Sequence, residues 1–251
     1  MLPIEFGVFA IAVPAVLMAG ISKGGFGSGA AFTGASILAL VVPPGQALGI
    51  MLPLLMLIDL STLRPYWRRW SWRDARRLVL GGVPGVALGA ALYRVADADL
   101  LRLLIGAVCF LFVGWQIALR AGLMRVAARP LPGWVGVLAG VVAGFTSFVS
   151  HAGGPPAAAY LLSQRLDKTT FQATTVLTFW VYNIVKFVPY AFLGIFTVET
   201  LLIDLVLAPV AILGAWLGVR AHRMVSERLF FAVTYVLLTL TGGKLIWDAL
   251  T

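Results

Sequence analysis

Two stretches decide how this chain is read: Gly20-Ile21-Ser22-Lys23-Gly24-Gly25-Phe26-Gly27-Ser28-Gly29 and Gly144-Phe145-Thr146-Ser147-Phe148-Val149-Ser150-His151-Ala152-Gly153-Gly154-Pro155-Pro156. Each interrupts apolar sequence with glycine, hydroxyl and basic side chains. A shift of 124 residues lays one on the other, matching Gly20 to Gly144 and Gly29 to Gly153. The same shift carries Asp59 onto Asn183 and Pro65-Tyr66 onto Pro189-Tyr190; one further residue of shift brings Pro84 and Gly89 onto Pro209 and Gly214. The chain therefore contains itself twice, as residues 1–125 and 126–251. In an apolar chain this is the sequence form of a repeat-built transporter, with a binding site where the halves meet.

Hydrophobic residues make up 61% of the 251 positions and charged ones 12%, which excludes a soluble globular domain and implies one membrane domain. The net charge of +9 does not point to nucleic acid, because the arginines cluster in a few short loops. Lys23 is the first cation, so residues 1–22 read as a retained span rather than a cleaved signal peptide. Cys109 is the only cysteine and lies in an apolar run, so no intrachain disulfide and no thiolate metal site is expected. Neither metal nor cofactor is implied. The expected partners are the lipid bilayer, a small anion and a coupling ion or proton, with homo-oligomerisation left open.

Apolar segments fall at roughly 4–22, 24–42, 46–63, 78–93 and 100–119, then 133–150, 152–164, 169–195, 198–220 and 228–248. The expected fold is an all-α integral membrane protein of two inverted repeats, about five hydrophobic segments each, or eight to ten in total when broken helices are counted. A full span takes about 20 apolar residues. Segment 152–164 is short, so the first two segments of each half read either as crossings or as a re-entrant hairpin. Residues 64–77 carry six arginines against one aspartate, whereas the turn after Phe196 carries only Glu199. Placing the first inside puts Arg120, Arg125 and Arg129, Arg165 and Lys168, and Arg220, Arg223 and Arg228 inside as well. Both termini then lie outside, and an odd segment count per half makes the halves inverted.

A lipid-facing helix is not written with five glycines in ten residues, since each weakens it by about 1 kcal/mol relative to alanine. Irregular backbone at membrane depth is tolerated only where protein or a water-filled cavity covers it. Glycine turns leading into helix N-termini present N–H groups and the positive end of the helix dipole, which favours an anion. The substrate-binding candidates are Ser22, Lys23, Gly24, Gly25, Gly27, Gly29, Ser147, His151, Gly153, Gly154, Asn183, Lys186 and Tyr190. Ser28 and Ser150 would add hydroxyls. The alternative is that these glycines only permit close packing, the reading preferred for Gly81, Gly85 and Gly89.

Asp59 sits in an apolar run and must face protein or water. It is the coupling candidate, with simple pairing to Lys186 as the alternative. Asn183, Lys186 and Tyr190 share a helical face with Thr175 and Phe179. His151 reads equally as a ligand, a proton relay or a structural hydrogen-bonding residue. Lys244 and Asp248 are spaced to pair, and Trp67, Trp70 and Trp72 beside arginines read as an interfacial belt.

These features resemble the TauE/SafE family, the sulfite exporter and sulfonate permease group. The likeness is carried by Lys23-Gly24-Gly25-Phe26 within Gly20–Gly29, by Leu52-Pro53-Leu54-Leu55 leading to Asp59, and by Tyr66-Trp67-Arg68-Arg69-Trp70-Ser71-Trp72. In the second half it is carried by Gly144 with Ser147, Gly153-Gly154-Pro155-Pro156, Asn183, Lys186, Pro189 and Tyr190. The resemblance implies movement of sulfite, sulfonates or related organic acids across the bacterial cytoplasmic membrane, and maps the family's glycine signatures onto Gly24, Gly25, Gly27, Gly29, Gly153 and Gly154. One departure is Thr33-Gly34-Ala35-Ser36, where many members have a proline.

A secondary anion transporter is the leading reading. A passive anion channel is the runner-up, and an assembly or sensory subunit stays open. No GxxxxGK[ST] or HExxH motif occurs, so ATP coupling would need another chain and metalloproteolysis lacks its ligands. An enzyme would have to rely on Ser150-His151, whose adjacent positions diverge on a helix, so no catalytic residue is assigned.

Overall fold

Prolines and short polar caps set the helix boundaries. In the computed structural model, which describes residues 6–26, 31–123, 129–221 and 227–251, α1 (Phe6–Ile21) runs into a π-helical turn, Ser22–Phe26. It is followed by α2 (Thr33–Leu38), α3 (Pro44–Leu63), α4 (Trp72–Tyr93) and α5 (Ala98–Arg120). The second half holds α6 (Gly133–Ser150), α7 (Gly154–Ser163), α8 (Lys168–Phe192), α9 (Val198–Ala221) and α10 (Glu227–Leu250). Gly27, Ser28, Gly29, Arg125, His222 and Arg223, and the side chain of Arg228, lie outside the described residues. Pro44 opens α3 at a position whose N–H has no helical partner anyway. Asp97 and Asp167 cap α5 and α8 by accepting from Leu100 N at 2.8 Å and from Thr169 N and Thr170 N at 3.0 Å.

The chain is an all-helical, multi-pass membrane protein. Among the described residues, six stretches are long and apolar enough to cross a bilayer: Gly7–Phe26, Pro44–Leu63, Trp72–Tyr93, Ala98–Arg120, Gly133–Ser150 and Val198–Arg220. α8 is 25 residues long, and along it Gln172, Thr174, Thr178, Asn183 and Lys186 are buried within the protein. The expected segments 24–42 and 152–164 differ from the observed helices. α2 has 6 residues and α7 has 10, about 9 and 15 Å of helix against a hydrocarbon core of about 30 Å, so neither crosses alone.

Small residues seat the helices. α1 lies on α9 with Gly20 against Gly214 and Gly24 against Gly218, and α6 lies on α4 with Val137, Val141 and Phe148 against Gly81, Gly85 and Gly89. The expected packing role of those three glycines is seen. In both pairs the contacts advance together along the two chains, so the helices run parallel. α3 and α8 run antiparallel: Leu48 and Leu52 cluster with Tyr190 and Ile195, Asp59 meets Asn183, and Leu63 and Tyr66 cluster with Ala173 and Val176.

The described parts of three basic loops meet at one end. Arg77 reaches Tyr160, Ser71 N donates to Thr174 at 2.9 Å, and Leu131 bonds both Ser163 and Gln164. Trp67, Trp70 and Trp72 stack edge to face at this end, with ring centroids 5.4 and 5.6 Å apart. Lys244 and Asp248 form the expected surface pair.

Candidate functional site

The two breaks close differently. In the first, α1 widens into the π-helical turn, which keeps Ser22, Lys23, Gly24 and Gly25 buried. In the second, α6 stops at His151, whose left-handed φ of 56° lets His151 N and Ala152 N bond back to Ser147 O and Thr146 O. Helix α7 then starts at Gly154 with Pro155 and Pro156 in its first turn. Those prolines carry no N–H, so the expected array of amide donors shrinks there to Gly153 and Gly154 plus the helix dipole.

What the breaks expose above all is carbonyls, and side chains cap them. Tyr66 donates to Gly24 O at 3.1 Å and Tyr190 to Phe148 O at 2.6 Å. Gln172 donates to Lys23 O at 2.7 Å and Lys186 to Ser147 O at 3.0 Å. These acceptors occupy positions 23, 24, 147 and 148, so the 124-residue shift seen in the sequence recurs in the contacts. Ser147 O also accepts from His151 N at 3.0 Å, whereas a break carbonyl left with no donor at membrane depth would cost about 1–3 kcal/mol.

Between the breaks lies a buried charge network. Lys23 Nζ sits 2.5 Å from Asp59 Oδ1 as an ion pair, while Asn183 donates to Asp59 Oδ2 at 2.6 Å. Lys186 Nζ also lies 2.9 Å from His151 Nδ1, and His151 Nε2 is 3.2 Å from Leu48 O. Asp59 and Lys186 are fully buried, Lys23 is 4% exposed and His151 6%. The pairing of Asp59 with Lys186, considered from sequence, is corrected: Asp59 pairs with Lys23, because the π-helical turn aims Lys23 at α3. Ser150 spends its hydroxyl on Thr146 O within its own helix.

A cavity of about 570 Å³ reaches both breaks, with Gly25, Gly154, Gln172 and Thr175 among its lining residues. Arg120 and Lys168 stand among its lining residues, at the end where those basic loops meet. The structure thus sorts the candidates. Gly25 and Gly154 face the cavity, whereas Lys23, Asp59, Ser147, His151, Asn183, Lys186 and Tyr190 form or flank the sealed network beyond it. Gly24 carries a second duty, since a Cβ there would lie 2.5 Å from Ala215 O.

A model of the family described as Sulfite exporter TauE/SafE matches residues 12–245. The chain belongs to that family. No curated protein and no solved structure matches it. The TauE/SafE match covers both breaks and all of α3 and α8, so the elements that build the network are those the family model spans. It is a sulfite exporter family of membrane transporters.

Two parts of this arrangement escaped the sequence reading. Asp74, which in the sequence reads as a loop charge, is buried, accepting from Ser71 at 2.6 Å and Tyr160 at 3.0 Å, with Arg77 at 3.3 Å. Ser71 three residues before Asp74 is a helix-start pattern and was the available signal. Gln172 continues the polar stripe of Thr175 and Asn183 back by one turn.

Proposed function

We propose that this TauE/SafE protein is a secondary transporter that moves a small anion, such as sulfite, an organosulfonate or a related organic acid, across the bacterial cytoplasmic membrane by alternating access. The observation that carries this reading is a cavity lined both by the cations Arg120 and Lys168 and by residues of both breaks, Gly25 and Gly154. Cations in the lining raise the local concentration of an anion. Residues 1–125 and 126–251 act as inverted halves, a reading supported by the antiparallel α3 and α8 and by the exchanged packing of α1 on α9 and α6 on α4. With the basic end inside and both termini outside, the cavity is open to the cytoplasm.

Ser22, Lys23, Gly24, Gly25, Ser147, His151, Gly153, Gly154, Asn183, Lys186 and Tyr190 form the substrate path, driven by an ion or proton gradient. Burial of the network behind the cavity favours a carrier over an open channel. The test is flux in proteoliposomes with sulfite, thiosulfate, methanesulfonate and glycolate. Saturable uptake of at least one anion, inhibited by another and lost in Lys186→Ala, is expected. Flux that never saturates and ignores the substitution would make the protein a passive channel.

A further inference from the structure

The two lysines of the network are not equivalent. Lys23 has a carboxylate partner in Asp59. Among the described residues no carboxylate lies within ion-pair distance of Lys186, whose two acceptors are Ser147 O and His151 Nδ1. A lone ammonium at membrane depth is expensive, so a group in this position either finds an anion or gives up its proton.

The hydrogen bonds fix where that proton can be. Leu48 O only accepts, so His151 Nε2 must carry a hydrogen. The hydrogen between Lys186 and His151 Nδ1 can then belong to either partner: Lys186 as ammonium with neutral His151, or neutral Lys186 with His151 as imidazolium. Both forms carry one positive charge. A second proton would leave two donors facing each other 2.9 Å apart with no acceptor between them. Loss of the one proton leaves a neutral pair in which the Lys186 amine still donates to Nδ1. The other ionisable groups facing the pair are Lys23 and Asp59, which cancel each other, and the phenols of Tyr190, whose ring is 6.2 Å from His151, and of Tyr93 beyond Phe148. The geometry is therefore compatible with a network of net +1 or of net zero.

We propose that Lys186 and His151 form a one-proton site whose occupancy is linked to the substrate, so that the carrier moves one monoanion together with one proton. This rests on the transporter reading and relocates the coupling group from Asp59 to the Lys186–His151 hydrogen bond. With a monoanion bound, the pair keeps its proton and the loaded core is neutral. When the anion leaves, the proton follows it to water in the cavity, and the empty core is neutral again. Both forms that cross between access states thus avoid a net buried charge.

The experiment measures uptake of methanesulfonate and glycolate, monoanions near neutral pH, into proteoliposomes under separately imposed pH and potassium–valinomycin gradients. Wild-type protein should accumulate at least one of them about tenfold per pH unit of inside-alkaline gradient and ignore the potential. Lys186→Arg keeps the charge but cannot release it, so its uptake should follow an inside-positive potential and lose the pH response. Asp59→Asn should keep a pH response. Wild-type uptake that follows the potential and ignores pH overturns the proposal while leaving a transporter in place. The same holds if Lys186→Arg stays proton-driven, or if only dianions such as thiosulfate are carried. If no anion moves at all, the transporter reading itself fails.

Discussion

The first break keeps its lysine on the broken segment and its carboxylate on the neighbouring long helix; the second does the reverse, with Lys186 on the long helix and only backbone and histidine on the break. At the 124-residue shift, Lys23 falls on Ser147, Asp59 on Asn183, and Thr62 on Lys186. Each half thus contributes one buried lysine to the same interface from opposite elements. The tyrosine caps on Gly24 O and Phe148 O are kept in both halves, so the scaffold is shared while the charge is not. Duplication supplies geometry, and the unequal positions supply chemistry.

The sharpest way to break the comparison is to remove the charge partner in one half only. Lys23→Ala leaves the Asp59 carboxylate buried with only Asn183 as donor, and the expected loss is about 3–5 kcal/mol, read as a fall in unfolding temperature in detergent. The double variant Lys23→Met with Asp59→Leu should recover most of that loss. If Lys23→Ala is neutral, Asp59 is not held ionised by Lys23.

Making the halves alike should also be costly. Asn183→Asp would set two carboxylates at a contact now 2.6 Å long, and one of them must hold a proton. Its stability relative to wild type should fall as pH rises, by about 1–3 kcal/mol across the neutral range. A variant whose relative stability is flat with pH contradicts the direct Asp59–Asn183 contact.

A smaller effect tests what the halves share. Tyr66→Phe and Tyr190→Phe each remove one hydroxyl from a break carbonyl, and each should cost about 1–2 kcal/mol. Costs that differ severalfold between the two would show that the caps are not equivalent.

The smallest effect concerns how the paired helices begin: α3 with Pro44 and α8 with the Asp167 cap. The Thr170 hydroxyl and N–H, with Thr169 N, hold the Asp167 carboxyl below the ordinary carboxylate range. A carboxyl depressed in the folded state stabilises above its unfolded pKa and loses that contribution as pH falls. Asp167→Ala should therefore lower the unfolding temperature slightly near neutral pH, and the difference should vanish in acid.

Much of this was legible in the sequence. The glycine breaks, the 124-residue shift and the clustering of arginines needed only pattern and hydropathy, because membrane depth forbids irregular backbone without cover. The pairing of Asp59 was not legible. Helical periodicity places Lys186 and Asp59 on plausible facing sides, but the π-helical turn that rotates Lys23 toward α3 leaves no periodic signature. Asp74 was hidden by its company, since an aspartate among arginines reads as a solvated charge until Tyr160 is seen to cover it. The short α2 and α7 were masked by apolar flanks that extend the hydropathy of each segment beyond its helix.

The most direct test of the central claim, that an anion passes through the cavity between Gly25 and Gly154, is to fill that cavity without touching the charges. Thr175 lines it and is 5% exposed, so Thr175→Trp should occupy it while leaving Lys23, Asp59, His151 and Lys186 in place. Measured in proteoliposomes beside the wild type, saturable uptake of sulfite or methanesulfonate should fall by at least about tenfold, as a loss of about 1.4 kcal/mol or more implies. Uptake unchanged in a folded Thr175→Trp protein would contradict the account.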